Sequence, residues 1–241
     1  MPQLPLDRHP VVSPAEWLDA RRGLLAREKA LTRQYDALAA ERRQLPWTLV
    51  EKPYVFDGPA GRETLAQLFG PCSQLVVYHF MFGPDWEEGC RTCSMIADHV
   101  DASAVHLANH DVTLLLVSRA PYPRLAEFQR RMGWKFKWVS SHGTDFNRDF
   151  GVSFTAEEMA SGQPLYNYGT VAPFSEETGG GSVFYRDASG RVFHTYSSYG
   201  RGMEALLLPY FYLDLTPKGR NEGGLPYPSA WFRHHDRYGR D

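Results

Sequence analysis

The chain has 241 residues, of which 43% are apolar and 14% aromatic, enough to form a folded domain with a hydrophobic core. Its formal charge of −2 lacks the positive excess typical of proteins that bind nucleic acid. No apolar run is long enough to span a bilayer, and the first residues contain no basic region followed by an apolar stretch. We therefore expect a cytoplasmic protein with no nucleic-acid or membrane partner.

The first predicted element is a long helix that begins at Ser13 and ends before Pro46. Ser13 is a suitable N-cap, and Pro14 and Glu16 complete the pattern of a capping box. Apolar side chains then recur every seven residues and form one stripe: Trp17, Leu24, Leu31, Leu38 and Leu45. The stripe requires a partner, which is either the chain's own core or a second copy of the chain in a homodimer.

The middle of the chain alternates predicted strands and helices. The apolar runs 75–82 and 112–117 are typical of buried strands, and residues 136–139 form a third. Helical patterns follow the first two strands, over 90–108 and 122–132. This order predicts an α/β domain with parallel pairing in its first half.

The second half of the chain has a different order. Two predicted strands, 182–186 and 191–196, are joined by a short turn that contains Gly190 and form a hairpin. Residues 203–212 predict a closing helix. We expect three parts in total: an N-terminal helical extension over 1–46, a sheet-containing domain over 47–215, and a tail over 216–241 packed on that domain.

The most informative motif is Cys90-Arg91-Thr92-Cys93, which follows the first buried strand and begins a predicted helix. C-x-x-C in this position is typical of redox-active dithiols. Residues three apart share a helix face, so the two sulfurs can come within bonding distance. The unpaired N–H groups and the dipole of a helix N-terminus favour a thiolate on the first cysteine. The motif therefore predicts Cys90 as the nucleophile and Cys93 as the thiol that resolves the mixed disulfide.

Charged and aromatic neighbours are expected to tune this pair. Arg91 should lower the pKa of Cys90, whereas carboxylates close by should raise it. The loop before the motif carries three of these: Asp85, Glu87 and Glu88. Trp86 either covers the site as an apolar lid or packs within the loop. The reduction potential then depends on which charges lie closer to the sulfur.

A zinc site is the main alternative for the two thiols, because a structural zinc ion needs four ligands. Cys72 and His79 would complete a set of three cysteines and one histidine, but the strand between them separates them by roughly 23 Å. Three further histidines, His99, His106 and His110, fall near one helix face without a carboxylate motif. We therefore expect no metal and no cofactor, and a plain thiol at Cys72.

Further segments accompany the motif across about residues 11–238: 79–86 running into 90–94, 182–185, 192–196, 213–220 and 233–237. In these segments the chain resembles a bacterial thioredoxin-like family of predicted dithiol-disulfide oxidoreductases. The resemblance implies a thioredoxin-like α/β fold with a central mixed sheet flanked by helices. It also implies a thiol or disulfide substrate, either a protein or a small molecule.

Two positions depart from thioredoxin itself. Thioredoxins carry Gly-Pro between their cysteines, where this chain has Arg91 and Thr92. They also carry a proline opposite the active site, which helps to hold substrate strands, where this chain has Gly180-Gly181-Ser182. The residues expected to bind substrate or to tune the pair are therefore Trp86, Arg91, Thr92, Gly181 and Ser182.

Together these observations predict an enzyme that makes, breaks or transfers disulfides, and two alternatives stay open. A binding or regulatory module would use the same fold with inert cysteines, in line with the missing proline and the aromatic-rich extensions. Residues 113–139 also resemble peroxiredoxins. That class, however, places a Thr three residues before its reactive cysteine, where this chain has Glu87.

Overall fold

The computed structural model describes residues 6–162 and 166–239. Within them the chain divides into two compact units. The units comprise the described residues of 1–46 with 212–221 and of 47–211 with 222–241. The domain boundaries predicted from the sequence stay a prediction.

A single long helix, α1 (Pro14–Arg42), forms most of the first unit. The Glu16 N–H donates to the Ser13 hydroxyl at 3.3 Å, and the Ser13 N–H donates to the Glu16 carboxylate at 2.9 Å. These reciprocal bonds form the predicted capping box and satisfy N–H groups that a helix start leaves free. No residue of α1, a fully described helix, is buried. A homodimer stays a prediction.

The described residues of the second unit form one eight-stranded sheet. In chain order its strands are β1 (Thr48–Leu49), β2 (Val55–Gly58), β3 (Gly61–Thr64), β4 (Gln74–His79), β5 (Val112–Ser118), β6 (Trp138–Ser140), β7 (Gly180–Arg186) and β8 (Val192–Tyr199). Their order across the sheet is β1-β8-β7-β4-β5-β6-β2-β3.

The helices of the chain that follow α1 are short. They are α2 (Leu65–Leu68), α3 (Arg91–Ala97), α4 (Val100–Ala108), α5 (Tyr122–Met132), α6 (Phe146–Asp149), α7 (Ala156–Ser161) and α8 (Leu208–Leu213). Among the described residues, three 3-10 segments accompany them: Leu6–Arg8, Gly200–Leu206 and His235–Arg237.

Two helix predictions need correction. The helix expected over 90–108 is divided into α3 and α4 between Ala97 and Val100. The closing helix expected over 203–212 is a 3-10 segment followed by α8. Pro209 accounts for this second break, because it lacks an N–H and its ring does not fit against a preceding helical turn.

The centre of the sheet is mixed. β4 pairs in parallel with β5, and β5 pairs in parallel with β6. On its other side β4 pairs with β7 in antiparallel fashion, and β7 pairs with β8 in the same way. Helices α3 and α4 connect β4 to β5, and α5 connects β5 to β6. This connectivity is that of a thioredoxin-like fold, so the fold class predicted from the sequence is confirmed.

The two faces of β4 enter two separate cores, because successive side chains of a strand point to opposite faces. Leu75 and Val77 belong to the core shared with α2 and α6. Tyr78 belongs to the core shared with α3 and α5, as does Phe80 just beyond the strand. The C-x-x-C helix therefore packs on the face of β4 that carries Tyr78.

A chain of polar side chains lies on the face of the sheet that carries α2 and α6. The His79 Nε2 lies 2.8 Å from the Ser182 hydroxyl, which lies 2.9 Å from the Ser197 hydroxyl. The His194 Nε2 lies 2.7 Å from that same Ser197 hydroxyl. Burial lowers the pKa of His79 to about 3, with a smaller contribution from His194. His79 is therefore neutral in the folded protein at neutral pH.

We expect His79 to make the fold sensitive to acid. In the unfolded chain its pKa returns to about 6.5, so below that pH the unfolded chain binds a proton that the folded chain does not. The contribution of neutral His79 is complete above about pH 6.5 and is lost at about 1.4 kcal/mol per pH unit as the pH falls toward 3.

Urea unfolding of the parent protein and of His79→Gln, between about pH 7 and pH 4.5, measures this effect. Glutamine keeps a polar group for Ser182 but does not titrate. As the pH falls, the free energy of unfolding should therefore decrease less steeply in the variant than in the parent. The same pH dependence in both proteins would show that His79 does not contribute.

Candidate functional site

The loop that carries the cysteines leaves the sheet at the carboxyl end of β4. Its first residue is still held by β5, because the Phe80 N–H donates to the Val117 carbonyl at 2.9 Å. The loop then returns, and the Cys90 N–H donates to the Met81 carbonyl at 3.0 Å. Gly89 permits this close return, since a Cβ at that position would lie 2.5 Å from the Phe80 ring. The fold thus brings Cys90 back to the end of β4.

Cys90 is the N-cap residue of α3 and is partly exposed. Its pKa is lowered to about 7, first by a hydrogen bond from the Cys93 side chain and then by the N–H groups of Cys93 and Thr92. The Cys90 side chain makes no capping hydrogen bond in the neutral protein, and the nearby N–H groups stabilise the thiolate. Burial opposes the shift. The N–H groups at the start of α3 therefore contribute to the lowered pKa of Cys90, after the Cys93 side chain.

Cys93 lies one turn further into α3 and is only 2% exposed. Its sulfur accepts a hydrogen bond from the Tyr78 hydroxyl at 3.1 Å and a longer one from the Met81 N–H at 3.5 Å. Burial raises the pKa of Cys93, and the hydrogen bond to Cys90 raises it further. The two thiols therefore differ, and Cys90 loses its proton first.

Tyr78 was not identified from the sequence. It is 4% exposed, and burial raises the pKa of its hydroxyl, which therefore stays a hydrogen-bond donor. The alternation of side chains along β4 could have identified it, because Tyr78 points to the face of the sheet on which the helix that begins at Cys90 packs.

The charged residues near Cys90 were expected to shift its pKa in opposite directions. Arg91 is exposed at the first position of α3, and the groups that lower the pKa of Cys90 are the Cys93 side chain first and then the backbone of Cys93 and Thr92. Glu88 is partly buried, which opposes its ionisation, but hydrogen bonds from Arg237 and Arg131 hold its pKa below the ordinary value. The Glu88 charge is thus compensated by two guanidinium groups.

Trp86 is partly buried and packs against the same apolar core as Cys90. Its indole lies over Gly83, where a Cβ would come within 2.9 Å of the ring. The Trp86 carbonyl accepts a hydrogen bond from Arg124 at 2.7 Å, which fixes the loop. The packing of Trp86 within the loop is therefore observed, whereas a lid over the cysteines and a role in substrate binding stay predictions.

The structure does not bring Gly181 and Ser182 to the cysteines as expected. A Cβ at Gly181 would meet Met203, and Ser182 lies on the opposite face of the sheet, bonded to His79. The residue beside the pair is Gly179, where a Cβ would lie 4.0 Å from the Cys93 sulfur. The reason is register, because β7 already begins at Gly180 and its side chains alternate between faces from there.

Cys72 is buried, and its sulfur lies 4.0 Å from the Ala108 carbonyl. It precedes β4, whereas Cys90 and Cys93 lie beyond the other end of that strand. Across residues 6–162 and 166–239, no group of three or more Cys, His, Asp or Glu side chains is arranged to hold a metal ion. The described helices are also too short or too polar to cross a membrane.

The fold and the paired thiols define a thioredoxin-fold protein with a dithiol at the start of a helix. The chain belongs to the family described as bacterial protein of unknown function (DUF899), whose model matches residues 6–238. Among curated proteins, no relative matches the chain.

Solved structures similar to the chain include three bacterial proteins. Peroxidoxin BcpB from Mycobacterium tuberculosis is 14% identical, with 68% of this chain and 94% of that one covered and a TM-score of 0.46. The bacterioferritin comigratory protein of Xanthomonas campestris is 16% identical, with 69% and 96% covered and a TM-score of 0.43. A candidate thiol:disulfide interchange protein, DsbE, from Chlorobium tepidum is 13% identical, with 69% and 98% covered and a TM-score of 0.40.

We expect the reactivity of Cys90 toward iodoacetamide to rise with pH and to reach half its maximum near pH 7, because the thiolate is the nucleophile. Alkylation of the reduced protein, followed by mass spectrometry of the separated peptides, measures each cysteine. Buried Cys72 in the same molecule is the control and should react slowly throughout. A midpoint near 8.5, the ordinary value for cysteine, would contradict the described environment.

We expect Tyr78→Phe to slow the reaction of Cys93 by about tenfold, because it removes a hydrogen bond to a developing thiolate while keeping the ring. The measurement is the rate at which a mixed disulfide on Cys90 converts to the internal disulfide. Tyr54→Phe is the matched control. Tyr54 is also buried, belongs to the other core and donates a hydrogen bond to Asp149. Equal slowing in both variants would point to a general loss of packing.

Proposed function

We propose that the protein is a thiol–disulfide oxidoreductase in which Cys90 is the nucleophile and Cys93 is the resolving thiol. The observation that carries this proposal is the unequal pair at the start of α3. Cys90 is partly exposed and its pKa is lowered to about 7, whereas Cys93 is buried and its pKa is raised. A pair of this kind supports two successive attacks from two different sulfurs.

In the reductive direction, the Cys90 thiolate attacks one sulfur of a substrate disulfide. A bond forms between Cys90 and that sulfur, and the other half of the substrate leaves as a thiolate. Cys93 then loses its proton to the released thiolate or to water and attacks the Cys90 sulfur. The second half of the substrate leaves, so the substrate gains two electrons and the protein holds a Cys90–Cys93 disulfide. Every step is reversible, and the same pair in reverse oxidises a dithiol.

The contacts of Cys93 explain why the second step waits for the first. While Cys90 is a thiolate, its charge and its hydrogen bond raise the pKa of Cys93. Both influences disappear when Cys90 enters a mixed disulfide. The Tyr78 hydroxyl and the Met81 N–H remain, and both favour the Cys93 thiolate. Cys93 therefore becomes a better nucleophile once a substrate is attached.

The alternatives receive less support from the site. A scaffold with inert cysteines does not account for a partly exposed Cys90 whose pKa is lowered. A peroxidase would require only peroxide attack at Cys90, and Glu87 stands where peroxiredoxins carry a Thr. Near the pair, the absence of a side chain at Gly179 leaves room beside Cys93, since a Cβ there would lie 4.0 Å from its sulfur.

We expect Cys93→Ser to stop the reaction at the mixed disulfide. The reduced protein is mixed with excess 2-hydroxyethyl disulfide, quenched with acid at intervals and analysed by mass spectrometry. The parent should end as a Cys90–Cys93 disulfide, Cys93→Ser as an adduct on Cys90, and Cys90→Ser should react at least about a hundredfold more slowly. Cys72→Ser is the matched control and should behave as the parent.

Hydrogen peroxide in place of the disulfide separates the peroxidase alternative. If peroxide oxidises Cys90 much faster than the disulfide does, the peroxidase reading replaces the proposal. If neither oxidant reacts faster with Cys90 than with Cys72, the cysteines are inert and the binding or regulatory module replaces the proposal.

A further inference from the structure

The end of the chain returns to the loop that precedes Cys90. Residues 233–237 were identified in the sequence only through a family resemblance, and the proposed reaction does not use them. His234 is 2% exposed, and its Nε2 lies 2.9 Å from the Gly89 carbonyl oxygen. A histidine far along the chain thus contacts the residue directly before the nucleophile.

The tautomer of His234 follows from its partners. The Arg131 guanidinium lies 3.3 Å from the His234 Nδ1, and a guanidinium can only donate hydrogen bonds. Nδ1 also lies 3.6 Å from a Glu88 carboxylate oxygen. The Gly89 carbonyl can only accept, so Nε2 carries the hydrogen that is donated to it. The ring also packs edge-on against Phe128, with 5.3 Å between the ring centres. These contacts leave the imidazole one orientation.

The peptide group that joins Gly89 to Cys90 is consequently held on both sides. Its carbonyl accepts from His234, and its N–H donates to the Met81 carbonyl at 3.0 Å. The absence of a side chain at Gly89 lets this peptide lie against the Phe80 ring. A peptide fixed in this way sets the direction in which the Cys90 side chain leaves the start of α3.

Ion pairs tie the C-terminal segment to the region around Cys90. Arg131 bridges Glu88 at 2.6 Å and Asp236 at 2.9 Å. Arg237 also pairs with Glu88. At the C-terminal end of α3, His235 Nδ1 lies 2.6 Å from a carboxylate oxygen of Asp98. The segment is thus anchored both before and after the helix that carries the two cysteines.

We propose that His234 is a positioning residue for Cys90, acting through its hydrogen bond to the Gly89 carbonyl. This inference rests on the proposed function, because it assigns His234 a role in presenting the nucleophile. It holds the Gly89–Cys90 peptide so that the Cys90 sulfur stays within reach of the Cys93 thiol and of the N–H groups at the start of α3. Loss of the bond should make Cys90 a less reactive thiol without unfolding the domain.

Two substitutions at His234 test this role in the full-length protein. His234→Gln retains an N–H donor at a similar distance from the backbone, whereas His234→Leu fills the space without a donor. The readout is the pH profile of iodoacetamide alkylation at Cys90, with circular dichroism to verify folding. His234→Leu should move the midpoint to higher pH and slow alkylation below the midpoint by about three- to tenfold, and His234→Gln should restore most of the rate.

A second variant keeps the test informative if His234→Leu does not fold. Arg237→Gln breaks an ion pair of the same segment at a half-exposed side chain and should produce a smaller shift in the same direction. Arg191→Gln is the matched control, because Arg191 pairs with Asp187 in the hairpin at the opposite end of β7. It should leave the profile unchanged.

Unchanged profiles in folded His234→Leu and in Arg237→Gln would overturn the inference. Equal losses in His234→Gln and His234→Leu would also overturn it, since rescue by a donor would then be absent. If the parent itself shows an ordinary, unreactive Cys90, the proposed function fails instead, and that result is distinguishable because it requires no variant.

Discussion

The backbone of Met81 is the constraint on which the site depends. Its carbonyl accepts the Cys90 N–H at 3.0 Å, and its N–H points to the Cys93 sulfur at 3.5 Å. A single residue, two positions after the end of β4, is thus bonded to both cysteines. β4 lies at the centre of the sheet between β5 and β7. The two cysteines are therefore held in place by hydrogen bonds to a segment that continues directly from a central strand. A loop of the same composition without this anchor would leave the two sulfurs free to separate.

This anchoring also makes the two thiols unequal. The pair lies at the boundary between solvent and core, with Cys90 partly exposed and Cys93 2% exposed. Burial disfavours a charge on Cys93, so the first negative charge forms on Cys90, where free N–H groups and the Cys93 thiol stabilise it. Within the loop before the motif, the charge of Glu88 is compensated by two arginines. The chemistry follows from this unequal environment more than from the net charge of nearby residues.

The parts of the site that depend on local sequence could be predicted, and those that depend on long-range contacts could not. The order of strand, C-x-x-C and helix identified Cys90 and Cys93, and the thioredoxin-like fold is confirmed. Gly181 and Ser182 were expected beside the pair, but the register of β7 places Gly179 there and turns Ser182 to the other face. His234 meets Gly89 across 145 residues of chain, and no periodicity in a single sequence reports such a contact.

The most direct test of the account is a redox titration of the intact protein. The protein is equilibrated in mixtures of reduced and oxidised glutathione, quenched with acid, alkylated and analysed by peptide mass spectrometry. We predict a single two-electron transition in which Cys90 and Cys93 form one disulfide, Cys72 stays a thiol, and the potential lies within the range of about −120 to −270 mV found for thioredoxin-fold dithiols. A titration in which no Cys90–Cys93 disulfide forms at any ratio would contradict the account.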